Sequence, residues 1–340
     1  MSLEEAIRRA SSGEDVPGDV LEQAFGRIVD GKASPVQIAA LLIALRTKGE
    51  TTEEIVAAAR ALRARARTAP PVDPRTVDTC GTGGDGSGSF NISTAAAFVV
   101  AGAGVPVAKH GNRAASSRAG SFDVLEALGV RLDLSVEASA RLLGEIGIAP
   151  FFARTAHPAM RFAAPVREEL RVRTIMNCLG PLLNPVGARY QLVGVYAAEL
   201  VLPLCQALGR LGARRALVVH GCDGLDEITT TGPTTAALLE ADGVRSFEIE
   251  PRELGIARAR PEELLGGDAV RNAEILRAVL RGEPGARSDV VLVNAAAALW
   301  VAEAAPDLAG GLAAARHSVD SGAALGKLEA LVERSHAVAP

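Results

Sequence analysis

Aromatic side chains are scarce in this chain: Phe, Tyr and Trp make up 3% of its 340 residues, with a single Trp. A protein that grips single-stranded nucleic acid by stacking on its bases needs more rings than that. Excess positive charge is missing too, the formal net charge being −4, which argues against a chain whose main partner is a phosphate backbone. Cys80, Cys178, Cys205 and Cys222 form no C-x-x-C pair, so neither a zinc knuckle nor a disulfide framework is indicated, and a reducing cytoplasm is the expected compartment. No stretch reaches the roughly 20 uncharged apolar residues of a membrane span. The opening "MSLEEAIRRASSGEDV" is amphipathic and acid-containing rather than a basic leader, so an unprocessed protein without membrane contact is expected.

What the chain does have is length, small apolar residues and glycine. Hydrophobic residues reach 48%, so with few rings the core must be built from Ala, Val and Leu, which suits close-packed helices and parallel strands. At this length two subdomains, or a large domain with a smaller helical lobe, are expected. Residues 1–72 read as helical. Ser34, Pro35 and Gln37 form a capping box ahead of Ile38, Leu41, Leu42 and Leu45 at helical spacing, and Thr51 and Glu54 repeat the device ahead of Ile55, Ala58, Ala59 and Leu62. "TAPPVDP" then marks a boundary. From residue 73 onward "TVDTC", "VPVAKHG", "ALVVHG" and "DVVLVNAA" read as short buried strands alternating with Ala-rich helices. The expected fold is therefore α/β, a small N-terminal helical domain followed by a large domain (73–340) with a central, mostly parallel sheet. Ligands of such sheets collect beyond the carboxyl ends of the strands, so the loops after those four runs should face one site.

The first loop, "CGTGGDGSGSFNIST", carries five glycines around Asp85 and runs into an apolar helix starting near Asn91, Ser93 or Thr94. Glycine admits positive φ and close approach of backbone N–H groups, and a helix start favours an anion. The loop fits neither the P-loop nor the dinucleotide fingerprint. Asp85 would repel a bare phosphate, so a cation or a different hydrogen-bonding partner is implied. The second loop, "KHGNRAASSRAGS", mixes Lys109, His110, Asn112 and Arg113 with Ser116, Ser117 and Ser121, a composition suited to phosphate oxygens. Ser121 is expected to cap the following helix, with Gly129 as its stop. The third, "HGCDGLDEIT", holds the adjacent acids Asp226 and Glu227; such a pair is commonly a solvated surface feature, but opposite a phosphate loop it could hold Mg²⁺. Between them, "FFARTAHPAMRFAAPVREELRVRTIMNCLGPLLNP" offers apolar walls and arginines, of which Arg167 could bind a carboxylate.

These four segments, in this order and at these separations, resemble the anthranilate phosphoribosyltransferase family over nearly the whole chain. The resemblance implies transfer of a ribose 5-phosphate unit from 5-phosphoribosyl 1-pyrophosphate to the amine of anthranilate, with helices from 168–188 joining the N-terminal lobe and a homodimer formed through that lobe. It implies contacts to the pyrophosphate substrate from Gly81, Gly84, Asp85, Ser89, Asn91, Ile92, Ser93, Thr94, Lys109, His110, Gly111, Asn112, Arg113, Ala114, Ala115, Ser116, Ser117 and Ser121. Gly81, Asn112 and Arg167 would meet anthranilate, with His110, His157 and Pro181 lining its approach. Ser93, Asp226 and Glu227 would hold Mg²⁺, two ions per monomer, and no side chain would serve as an essential general base. Ser89, Phe122, Phe162 and Arg171 depart from the family's usual Thr, Ala, polar residue and Gly, and Phe122 adds bulk beside the second phosphate loop. A pyrimidine nucleoside phosphorylase-like enzyme, using phosphate without magnesium, and a non-catalytic nucleic-acid-binding relative are the alternative readings.

Overall fold

The computed structural model describes residues 2–70, 72–114 and 118–338. Four helices open the chain: α1 (Ser2–Ser11), α2 (Gly18–Val29), α3 (Pro35–Lys48) and α4 (Thr52–Arg63). Both capping boxes form as read. Ser34 Oγ accepts from Gln37 N at 3.3 Å, and Thr51 Oγ1 accepts from Glu54 N at 3.2 Å. Glu54 does more than close its box: fully buried, it also accepts from Val16 N at 2.9 Å and pairs with Lys48 at 3.0 Å. One carboxylate thus ties the start of α4 to the end of α3 and to the loop before α2. The apolar stripes of α3 and α4 are buried in a cluster that also takes in Ala163, Val166, Ile175, Leu179 and Leu182.

Seven strands form one sheet: β1 (Val77–Gly81), β2 (Val107–Gly111), β3 (Ile148–Phe152), β4 (Tyr190–Gly194), β5 (Arg215–Gly221), β6 (Thr234–Glu240) and β7 (Gly243–Ile249). Their order is β3-β2-β1-β4-β5-β6-β7, parallel from β3 to β5 and antiparallel beyond. The chain leaves β1 toward β2 on one side and returns to β4 on the other, so the order reverses between β1 and β4. Crossover connections diverge there, opening a crevice at the strand ends where ligands bind in open α/β sheets.

Three of the four runs expected as strands are β1, β2 and β5. The fourth is not. "DVVLVNAA" lies inside the helix Ala286–Val301, nearly every residue of which is buried. An unbroken apolar run reads alike for a buried strand and a helix buried all round, and its continuation through "AALWV" gives helical length. The helix packs tightly enough against Leu308–Asp320 that a Cβ on Gly311 would strike the Ala296 carbonyl.

Candidate active site

The crevice between β1 and β4 is made by two glycines and filled by one aspartate. Gly81 and Gly194 are register partners at the carboxyl ends of these strands. A Cβ on Gly81 would run into the Asp226 carboxylate, and one on Gly194 into the Asp226 carbonyl. Absence of side chains at both strand ends is what admits the loop after β5 to the switch point.

Asp226 and Glu227 are consequently not a solvated surface pair. Asp226 Oδ2 accepts from Gly83 N at 2.7 Å, in the glycine loop, and Glu227 Oε1 accepts from Ser93 N at 3.0 Å, in the first turn of the helix Ile92–Gly102. Glu227 is 8% exposed. Burial first, then the neighbouring carboxylates, push the Asp226 pKa well up, while burial raises that of Glu227 against the pull of Lys109. Lys109 stands between the loops: its Nζ donates to Thr79 O at 2.6 Å and lies 3.4 Å from Ser93 Oγ.

The glycine loop turns through Gly83, Gly84, Gly86 and Gly88 with φ of 67°, 74°, 77° and 69°, a left-handed conformation disfavoured for other residues. Asp85 answers the question its charge raised by accepting backbone N–H groups, Ser87 N at 3.2 Å and Asp226 N at 3.4 Å. Ser87 Oγ donates to Ser89 Oγ at 3.1 Å. Asn91 precedes the helix without a side-chain cap; its amide bridges to Asn272 at 2.9 Å and to the Ala119 carbonyl at 3.3 Å. Ile92 and Thr94 face the core. Arg173, unremarked in the sequence, donates to Gly84 O and lies over the Tyr196 ring at 4.3 Å.

In the second loop Gly111 ends β2 and Asn112 is exposed. Arg113 is engaged on Asp123 at 3.1 Å and Glu126 at 2.7 Å, and Ala114 N donates to Asp123 at 2.9 Å. Ala115, Ser116 and Ser117 lie outside the described residues. Ser121 is not the helix cap it was expected to be. It is the first residue of the helix Ser121–Ala127, its Oγ donating to Asn112 O at 3.4 Å, while Asp123 closes the turn by accepting from Gly120 N at 2.9 Å. The helix stops at Gly129 (φ 97°) as read. Phe122 is fully buried and stacked on Phe152 at 4.8 Å.

A second cluster lies beside the first. His110, on β2, and His157, after β3, meet edge to face at 5.1 Å, 5% exposed each. Burial lowers the His110 pKa to about 3 and that of His157 to about 4, so both are neutral near pH 7. Neither His110 Nε2 nor the ring nitrogens of His157 make a hydrogen bond among the described residues. Pro181 is buried, its carbonyl accepting from Gln191 at 2.7 Å. Arg167, on the helix Ala164–Leu170, is half-buried with its pKa lowered by burial. Asp78 lies beneath the histidine cluster: fully buried, it accepts from His110 N at 3.2 Å and from Asn184 at 2.8 Å. A lone acid inside the β-rich run "TVDTC" was the signal that could have found it.

Among the described residues no group of three or more His, Cys, Asp and Glu side chains forms a ready-made metal cage. The donors that are present, two destabilised carboxylates and the Ser93 hydroxyl, nevertheless suit Mg²⁺, which keeps several waters and takes one or two carboxylates plus substrate phosphates.

An α/β domain carrying this crevice behind a helical lobe belongs to a known class of transferases. Residues 73–325 match the model of the glycosyl transferase family a/b domain, and residues 4–66 that of its helical bundle domain. An anthranilate phosphoribosyltransferase of Rubrobacter xylanophilus is 55% identical, with 99% of this chain and 98% of that protein covered. One of Moorella thermoacetica is 52% identical, with 97% of each covered. The crystal structure of anthranilate phosphoribosyltransferase from Thermus thermophilus superposes with a TM-score of 0.91 at 44% identity, covering 97% of this chain and 99% of the other. That from Saccharomyces cerevisiae in complex with PRPP and Mg gives 0.91 at 26% identity, covering 99% and 98%. The chain belongs to the anthranilate phosphoribosyltransferase family.

Proposed function

We propose that this enzyme transfers the phosphoribosyl group of 5-phosphoribosyl 1-pyrophosphate to the amine of anthranilate, giving N-(5-phosphoribosyl)anthranilate and pyrophosphate. The observation that carries the reading is the joining of Asp226 to the glycine loop and of Glu227 to the start of the helix behind it. Two structures of the Saccharomyces cerevisiae relative, one in complex with PRPP and Mg and one with 4-fluoroanthranilate, support the substrate and metal classes.

Departure of pyrophosphate leaves cationic character on the ribose and negative charge on the leaving group. Ser93, Asp226 and Glu227 are the residues that would hold Mg²⁺, two ions per monomer; the metal supplies positive charge beside the leaving oxygens. The chain itself contributes N–H groups of the glycine loop and the helix start, with Lys109 fixed between them. Gly81, Gly84, Asp85, Ser89, Asn91 through Thr94, Lys109 through Ala114 and Ser121 form the phosphoribosyl side of the site. Asn112 and Arg167 orient anthranilate, Arg167 by its carboxylate, with His110, His157 and Pro181 as the wall. An aryl amine is already neutral near pH 7, so no group need deprotonate it before attack. The two histidines, kept neutral by burial with the Lys109 and Arg63 charges further disfavouring their protonation, act as walls and not as essential bases, and holding the amine in line contributes up to roughly 7–11 kcal/mol. Residues 1–72, joined by helices from 168–188, form the helical lobe and mediate a homodimer in the cytoplasm.

No described helix is long and apolar enough to cross a membrane. The test is decay of anthranilate fluorescence with 5-phosphoribosyl 1-pyrophosphate and Mg²⁺, coupled to pyrophosphate release. Persistent fluorescence with folded protein would sink the assignment, and phosphate-dependent, magnesium-independent cleavage of a pyrimidine nucleoside would replace it with the phosphorylase reading.

A further inference from the structure

Asn294 is out of place. It lies in the middle of the buried helix Ala286–Val301, between Val293 and Ala295, and is itself fully buried. A carboxamide in such surroundings costs free energy unless every polar atom is paired. Here each is paired: Oδ1 accepts from Ile228 N at 3.0 Å, and Nδ2 donates to Ile228 O at 2.8 Å and to Val290 O of its own helix at 2.8 Å. The two bonds to Ile228 copy what a neighbouring strand would offer, in a loop that has left the sheet. Ile228 is the residue directly after Glu227.

The carboxylates just before it need such a hold. Three carboxylates converge there: Asp85 Oδ2 accepts from Asp226 N at 3.4 Å, and Glu227, 8% exposed, follows directly in the chain, so like charges crowded this closely favour swinging apart whenever no cation is present. The contacts of Asp226 with Gly81 and Gly194 block its retreat into the sheet, but nothing in those contacts fixes the far end of the pair. Asn294 fixes it. We infer that Asn294 is a positioning residue for the metal-holding carboxylates, its side chain clamping the backbone at Ile228 so that Asp226 and Glu227 stay aimed at the glycine loop and the helix start before the metal arrives. The inference rests on the magnesium reading proposed above. It also gives the apolar helix a share in the site without any contact to substrate.

Binding of Mn²⁺ in the presence of 5-phosphoribosyl 1-pyrophosphate, followed by the electron paramagnetic resonance of the free ion, tests it apart from turnover. Asn294→Leu and Asn294→Ala are expected to weaken Mn²⁺ binding by about 10- to 100-fold, the usual effect of removing an outer-shell support, with the anthranilate KM within about twofold of wild type. Leu299→Ala, a cavity in the same helix, should lower Tm and leave Mn²⁺ binding unchanged. Asn294 variants that bind Mn²⁺ like a binding wild type, or no more weakly than Leu299→Ala, would overturn the inference alone. A wild type that binds no Mn²⁺ would overturn the magnesium reading and this inference with it. A measurement needing no variant runs beside these: in metal-free wild type the Ile228 amide should exchange as slowly as the amides of β5, and rapid exchange would refute the clamp.

Discussion

The two halves of the crevice treat burial in opposite ways. On one side Asp226, Glu227 and Lys109 crowd ionisable groups into a confined space, each tied to backbone N–H or C=O groups. On the other, His110 and His157 are buried against each other and stay neutral. The difference teaches that pKa shifts of both signs arise from one cause, loss of water, and that the partners decide its use. The carboxylate side stores repulsion that a cation relieves. The imidazole side presents a neutral surface.

Removing the charge on the carboxylate side should do most to break the contrast. Asp226→Asn with Glu227→Gln keeps shape and acceptor atoms, so turnover should fall by at least on the order of 10²–10³ while the metal-free Tm at pH 8 rises, because the repulsion is gone. A fall in both would mean that the pair is structural. Closing the crevice comes next. Gly194→Ala places a Cβ where the Asp226 carbonyl lies, and should cost about 1–3 kcal/mol in urea unfolding together with most of the Mg²⁺-dependent activity.

On the imidazole side the effects are smaller and have their own pH signature. The ordinary histidine value is 6.5, and both folded values lie below it. The unfolded chain therefore takes up protons first, and the stability contributed by the pair is complete above pH 6.5 and drains as pH falls from there toward the folded values. The raised carboxylates act with the reverse sign, adding stability at low pH that is lost as pH rises above the ordinary carboxylate range. In His110→Leu and His157→Leu, the drop in Tm between about pH 7 and about pH 5 should shrink, and turnover should fall by less than about tenfold, since no proton transfer is lost. Loss of activity as complete as in the carboxylate variants would restore a general base to the mechanism.

The smallest effect lies outside the crevice. Arg171 ends the helix Ala164–Leu170 at φ 51°, a left-handed conformation costly to any side chain with a Cβ. Arg171→Gly should raise stability by about 1 kcal/mol with unchanged turnover, read by chemical denaturation.

Much of this was legible in the chain. The capping boxes at Ser34 and Thr51 and the apolar stripes behind them are local, set by hydrogen-bond chemistry within one turn and by the helical period. Gly83 through Gly88 announced a left-handed loop because few other residues tolerate that backbone. "DVVLVNAA" was misread because an apolar run carries no period. Ser121 was misassigned because Asp123, two residues on, competes better for the free N–H groups of that turn. Asp78, Arg173 and Asn294 escaped notice because each matters through a partner more than 60 positions away.

The sequence by itself determined which residues could turn, cap and carry charge, and the family its motifs resemble, since those depend on side-chain chemistry and short-range geometry. Only the tertiary structure decided that Gly81 and Gly194 would stand side by side, that Asp226 would fill the space they leave, and that an asparagine in the hydrophobic core would hold the loop behind it. The reason is physical: reversal of strand order between β1 and β4 opens the crevice, and strand order arises from packing among segments far apart in the chain.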